Sequence, residues 1–384
     1  MTGRPIGWLG IFRLGLVQSA LGSIVVLTTS TLNRVMVVEL QLVALLPGAL
    51  VALYYTIQLL RPRLGYGSDV SGRRTPWIVG GMAVLALGGF TAAAATAWMA
   101  SAFVPALLLA ILAFILIGLG VGAAGTSLLV LLAKRVDARR RPTAATIVWL
   151  MMILGFIITT AVAGLLLDPF SPARLMAVSG GVSLFAFVLT LVAVRGVEGQ
   201  ATDPAEADDG APDAPRPDEV VAAAASKHAS APFRRALAEV WAEPVARQFT
   251  IFVFVSMLAY GAQDLVLEPF AGAVFGLTPG ESTLLSSTQY QGILLGMLLV
   301  GGLGPRIGSL RSWMIGGCLG SAVALFGLAT SGFLGTAFPL RPAVFVLGVG
   351  LGVFAVAAIG SMMGLVDAGR ERREGIRMGL FGGA

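Results

Sequence analysis

The chain has 384 residues, 57% of them hydrophobic and 12% charged, with a mean hydropathy of +0.88. A water-soluble domain of that balance would expose large apolar patches, so the solvent for most of the chain is expected to be lipid. One cysteine, Cys318, excludes an internal disulfide framework, one histidine, His228, argues against a zinc or haem core, and the net charge of +6 falls in short clusters between apolar spans, which points to membrane-flanking loops and not to nucleic acid.

A hydrocarbon core about 30 Å thick takes roughly 20 helical residues to cross. Stretches of that kind are expected at 9–32, 40–60, 77–98, 105–133, 144–167, 175–194, 248–271, 283–303, 313–332 and 340–365. The first reads as a retained helix, because no small-residue cleavage site follows it. The loop after the second span carries Arg61, Arg63, Arg73 and Arg74, and that after the fourth carries Lys134, Arg135, Arg139, Arg140 and Arg141. Arg306 and Arg311 follow the eighth span, and four arginines follow the tenth, whereas the alternate connections hold only Arg34, Arg174 and Arg341. The positive-inside bias therefore places the N-terminus in the cytoplasm.

Between the sixth and seventh spans, residues 198–219 hold eight acidic residues and one arginine among Ala, Pro and Gly, the composition of a disordered linker. The expected organisation is an N-terminal six-helix half at 1–196, a linker at 197–246 and a C-terminal half at 247–384. Gly118-Leu119-Gly120, followed by Asp137 and three arginines, is echoed by Gly350-Leu351-Gly352, followed by Asp367 and Arg370, Arg372 and Arg373. Such a repeat suits two parallel halves. The fold class is thus all-α and polytopic, of major facilitator type, with about ten complete spans where that fold has twelve. An eleventh apolar segment begins near Met378, so truncation and a natural shorter plan whose open face a partner covers are both consistent with the sequence.

Gly65-Tyr66-Gly67-Ser68-Asp69-Val70-Ser71-Gly72-Arg73-Arg74 matches the major facilitator pattern after the second span. Gly65 and Gly72 permit a tight turn, and Asp69 with Arg73 and Arg74 can latch neighbouring helices at the cytoplasmic face. The motif reports fold, not substrate. Asp264 and Glu268, four residues apart, project from one face of the seventh span, and ionisable groups there normally face a partner or a wet cavity. Two readings stay open: a periplasmic ion-pair gate between Arg34 and Asp264 or Glu268, and a Glu268 that merely marks the helix end. Arg13, Gln18, Gln289 and Gln291 are further polar side chains in spans, suited to lining a cavity, to bonding between helices or, for Arg13, to snorkelling. No phosphate loop, CxxC, HExxH, GxSxG or paired-Asp diphosphate site occurs, so neither a nucleotide nor a metal is expected.

Three strings carry a closer likeness. Thr31-Leu32-Asn33-Arg34-Val35-Met36-Val37-Val38-Glu39-Leu40, Ala262-Gln263-Asp264-Leu265-Val266-Leu267-Glu268-Pro269-Phe270-Ala271-Gly272 and Ala357-Ala358-Ile359-Gly360-Ser361-Met362-Met363-Gly364 resemble the PucC/LhaA family of light-harvesting assembly proteins. Arg373-Glu374-Gly375-Ile376-Arg377-Met378-Gly379 extends the resemblance over nearly the whole chain. It implies a non-catalytic chaperone of the bacterial inner or intracytoplasmic photosynthetic membrane. Its cargo would be bacteriochlorophyll and carotenoid, and its partners antenna α and β polypeptides, other assembly or pigment-synthesis proteins, and membrane lipid. Magnesium in a chlorin accepts oxygen ligands, so Asn33, Gln263, Asp264, Glu268 and Gln289 are pigment-binding candidates by type. For each of them a hydrogen bond that packs helices is the more ordinary explanation. The alternative function is a secondary transporter of an amphipathic metabolite or pigment precursor.

Overall fold

The computed structural model describes residues 6–61, 64, 73–137, 140–198, 244–304, 306–334 and 338–367, and the regular structure among them is helical. The helices in chain order are α1 Trp8–Glu39, α2 Leu45–Gln58, α3 Thr75–Trp98, α4 Phe103–Arg135, α5 Arg141–Leu167, α6 Pro172–Val194, α7 Pro244–Phe275, α8 Pro279–Leu303, α9 Leu310–Leu334 and α10 Leu340–Asp367. Among the described residues nine are long and apolar enough to cross a membrane, and α2, with 14 residues, is shorter. The span expected at 40–60 loses its start because α1 runs on to Glu39. There the N–H groups of Leu40 and Leu42 bond back to the carbonyls of Val35 and Met36, and Gln41 turns the chain at φ 53°.

In the first half α3 lies along α4, α2 packs on α4, and α6 packs against both α1 and α3. In the second half α10 is held between α8 and α9. The halves meet chiefly where α5 lies along α8, and the end of α1 touches α7 and α8. Lipid tails are as apolar as leucine, so these contacts rest on close packing and polar bonds between helices. The α8–α10 seam depends on glycine. A Cβ at Gly348 would stand 2.1 Å from the Gln289 carbonyl oxygen, and one at Gly352 would stand 2.1 Å from that of Ile293. Gly292 and Gly296 return the contact from α8, so the two backbones touch without side chains between them.

The two Gly-Leu-Gly strings do the same work in opposite order. Gly118 faces α2 and Gly120 faces α3, whereas Gly350 faces α9 and Gly352 faces α8. Each string wedges its helix between the two that precede it, but Gly118 and Gly350 are not spatial equivalents.

Regular packing persists one turn past α6. Val197 is buried, and the Glu198 carboxylate accepts the backbone N–H groups of Arg74 and, at 2.8 Å, Thr75, which caps α3 and ties it to the end of α6. Burial alone would raise the Glu198 carboxyl. The Thr75 hydroxyl, the two N–H groups and the charge of Arg73 outweigh burial and hold the carboxyl below its ordinary range. The rest of the expected linker up to residue 243 lies outside the described residues, as do Gly65, Asp69 and Gly72 of the latch motif. Of that motif Arg73 is exposed and Arg74 is buried.

Candidate functional site

The polar residues of the spans converge where α1, α7 and α8 cross, and Pro269 sets the local geometry. Proline inside a helix has no N–H to give, so the carbonyl four residues earlier loses its bond. In α7 that carbonyl belongs to Leu265, and Asn33 of α1 donates its Nδ2 to it at 2.6 Å. A carbonyl left open in hydrocarbon would cost several kcal/mol, and Asn33 removes that cost while joining the two halves. Helix α7 therefore continues to Phe275, beyond the expected end at 271. Asp264, 11 residues from that end, lies about 16 Å inside it. That is nearer mid-helix than the periplasmic position expected from sequence.

Glu268 is 1% exposed, and its Oε1 accepts the hydroxyls of Ser30 at 2.6 Å and Ser286 at 2.5 Å. One turn earlier, Asp264 Oδ1 accepts Nε2 of Gln263 at 2.7 Å and of Gln289 at 3.2 Å. Beside them a cavity of about 80 Å³ is lined by Ser30, Tyr55, Tyr260, Asp264, Gln289 and Tyr290, among others. It has room for a few waters and falls well below the roughly 300–1,000 Å³ of small-molecule sites. A bacteriochlorin does not fit there in this conformation. The five pigment-binding candidates are thus brought together by the fold, with Gln263, Asp264 and Gln289 bonded to one another, Asn33 to the Leu265 carbonyl and Glu268 to two serines.

The expected gate does not form as drawn. Arg34, 1% exposed, pairs its Nη1 with Glu39 of its own helix at 2.6 Å and donates Nη2 to the Leu277 carbonyl, not to Asp264 or Glu268. The reason is register. Arg34 and Glu39 are five residues apart across a π-helical stretch, Val35–Glu39, which carries Glu39 round to the arginine. The guanidinium lies on Gly272, one turn beyond Glu268, where a Cβ would come within 3.0 Å of Nη2. Arg34 Nε and Glu268 Oε2 have no hydrogen-bond partner among the described residues. The Arg34 contact with Leu277 closes this end of the bundle across the halves.

A second tie stands beside it. Asp168, at the end of α5, accepts the Thr278 hydroxyl at 2.6 Å and the Gly280 N–H at 3.2 Å. It thus sits on the N-terminus of α8, where a carboxylate meets unpaired N–H groups and the positive end of the helix dipole. Thr278 and Glu281 complete a capping box there. Arg13 does not line the site. Its Nε donates to the Ala193 carbonyl at 3.0 Å, with further bonds to Val192 and Arg195, so it caps the C-terminus of α6. Gln18 donates to the Met152 sulfur, and Gln291 donates to the Ser287 hydroxyl at 3.5 Å.

Sequence reasoning overlooked Ser30, Ser286, Glu39, Asp168 and the three tyrosines. A signal existed for the serines, since hydroxyl-rich runs at 28–31 and 282–288 interrupt two apolar spans. The two π-helical stretches of α1, Leu27–Thr31 and Val35–Glu39, which turn Ser30 inward and bring the exposed Glu39 round to Arg34, have no such signal.

Comparison with known proteins places this arrangement. The family described as PUCC protein matches residues 31–384. The chain belongs to the PUCC family. This PUCC chain is 53% identical over 381 residues to the "Bacteriochlorophyll synthase 44.5 kDa chain" of Rhodobacter capsulatus, covering 99% of this chain and 84% of that one. It is 27% identical over 395 residues to "Protein PucC" of the same species, covering 97% and 79%. Among solved structures it is similar to a D-xylose–proton symporter (TM-score 0.67, 16% identity, 96% and 85% covered). It is also similar to the peptide transporter POT in complex with sulfate (TM-score 0.64, 14% identity, 98% and 87% covered). These likenesses establish the major facilitator fold that the sequence led us to expect, and at such identities nothing beyond fold. The chain is a multi-pass membrane protein whose family is linked to bacteriochlorophyll and photosynthesis.

Proposed function

We propose that this chain is a non-enzymatic assembly factor for bacterial light-harvesting complexes. It would hold bacteriochlorophyll, the antenna α and β polypeptides, or both, in the inner or intracytoplasmic photosynthetic membrane, with its N-terminus in the cytoplasm. The observation that carries this reading is kinship along the length of the chain, 97% of which aligns with Protein PucC.

Two features of the site support it. The central cavity of about 80 Å³ favours cargo on the lipid-facing surface over cargo inside. One oxygen of each carboxylate, Asp264 Oδ1 and Glu268 Oε1, takes glutamine or serine donors, and the sequence holds no paired-Asp diphosphate site that a synthase would use.

The second reading is a secondary transporter of an amphipathic metabolite or pigment precursor, favoured by two carboxylates on the seam between the halves, Asp264 half-buried against the cavity and Glu268 buried with one oxygen lacking a partner among the described residues. Purification in mild detergent from a pigmented host separates the two readings. Near-infrared bacteriochlorophyll bands with copurifying α or β chains are the expected result. A colourless preparation without them, together with substrate uptake in vesicles, would overturn the assembly reading.

A further inference from the structure

A second cavity, of about 450 Å³, opens on the outer face of the C-terminal half between α8, α9 and α10. Its floor is glycine and valine, with Gly316, Gly317 and Gly320 on α9 and Val349 and Gly350 on α10, and its mouth is Ile307, Gly308 and Ser312. A Cβ at Gly316 or Gly320 meets nothing within 4 Å, so the hollow exists because these two positions lack side chains. Gly308, at φ +75°, turns the chain at the mouth, and the Trp313 indole N–H, bonded to the Ile307 carbonyl at 2.6 Å, forms one wall.

From Ser312 to Gly320 the groove descends eight residues, or about 12 Å, close to the depth of one leaflet of a core about 30 Å thick. A whole helix, about 10–12 Å across, is too thick for it, while one hydrocarbon chain is not.

The charged residues that flank the mouth in the chain are basic. Arg306 and Arg311 flank the mouth residues with exposed side chains, and no acidic residue occurs between residues 282 and 366. On the expected orientation this end faces the cytoplasmic leaflet, where anionic headgroups gather near Lys and Arg. We infer that the groove binds one anionic phospholipid, an acyl chain lying on the glycine floor and the phosphate at Arg306 and Arg311. The site is separate from the polar cluster and does not depend on the assembly reading.

The test uses the full chain reconstituted in nanodiscs of mixed phosphatidylglycerol and phosphatidylcholine, with retained lipid identified by native mass spectrometry. The wild type is expected to keep one phosphatidylglycerol in preference to phosphatidylcholine. Gly320→Leu, and independently Gly316→Leu, fills the hollow and is expected to lower retention at least tenfold with helical content and melting unchanged. The Arg306→Gln/Arg311→Gln pair is expected to keep a lipid but lose the preference for the anionic one. Equal retention in both leucine variants, or an unchanged preference in the glutamine pair, would overturn the proposal. So would a pigment mass or a crosslinked polypeptide found in place of the lipid.

Discussion

Replacing Gly348 by alanine drives a methyl group into the α8 backbone, and the structure gives the size of the conflict. The new Cβ would stand 2.1 Å from the Gln289 carbonyl oxygen, where ordinary contact begins at 3.4 Å, so the helices must part by about 1.3 Å (3.4 − 2.1). Overpacking of that kind costs about 1–3 kcal/mol. The side chain of the same Gln289 donates to Asp264 at 3.2 Å, and moving it away weakens a bond between helices worth about 0.6–1.7 kcal/mol in a membrane. The expected loss is about 2–4 kcal/mol. It can be measured by reversible unfolding in mixed micelles followed by circular dichroism, with Gly301→Ala as a control, since a Cβ there meets nothing within 4 Å. A Gly348→Ala variant within about 0.5 kcal/mol of wild type, the usual span of a neutral substitution, would refute the claim that backbone contact holds α8 to α10.

At Glu268, alanine leaves the Ser30 and Ser286 hydroxyls without their acceptor and should cost about 2–4 kcal/mol, whereas glutamine keeps a carbonyl for them and should cost clearly less. Equal losses in the same unfolding assay would remove the hydrogen-bond explanation. Asp168→Ala strips an acceptor from the N-terminus of α8 and should cost about 0.5–2 kcal/mol, while raising thiol labelling of a cysteine placed at Leu277; unchanged labelling would mean that Asp168 does not hold this end shut. Glu198 has a depressed carboxyl, so its contribution is whole above its ordinary value of 4.5 and is lost as pH falls through the lower folded-state value. The stability gap between wild type and Glu198→Gln should therefore close on acidification from pH 7 and stay constant above about 5.5, a unit clear of that value; a gap that widens in acid would contradict the capping role.

The sequence by itself determined the solvent of this chain, its helical spans and its kinship, because hydropathy over some twenty residues is a local sum and the strings around Arg34, Asp264 and Glu268 can be read letter by letter. It also singled out Asn33, Arg34, Gln263, Asp264, Glu268 and Gln289, which meet on the seam between the halves. Their partners were another matter. That Asn33 serves the carbonyl freed by Pro269, that Glu268 is held by serines, and that Arg34 turns to Glu39 depend on two π-helical stretches and on glycine contacts that bring α7 and α8 onto α1. Residues more than 200 positions apart, such as Ser30 and Glu268, acquire a common environment only when helices pack. In a membrane that packing decides which buried polar groups are satisfied, so tertiary structure alone decided what neither open reading of the carboxylates held: Arg34 pairs with Glu39, and Glu268 is a buried acceptor of serine hydroxyls beside a cavity too small for a pigment.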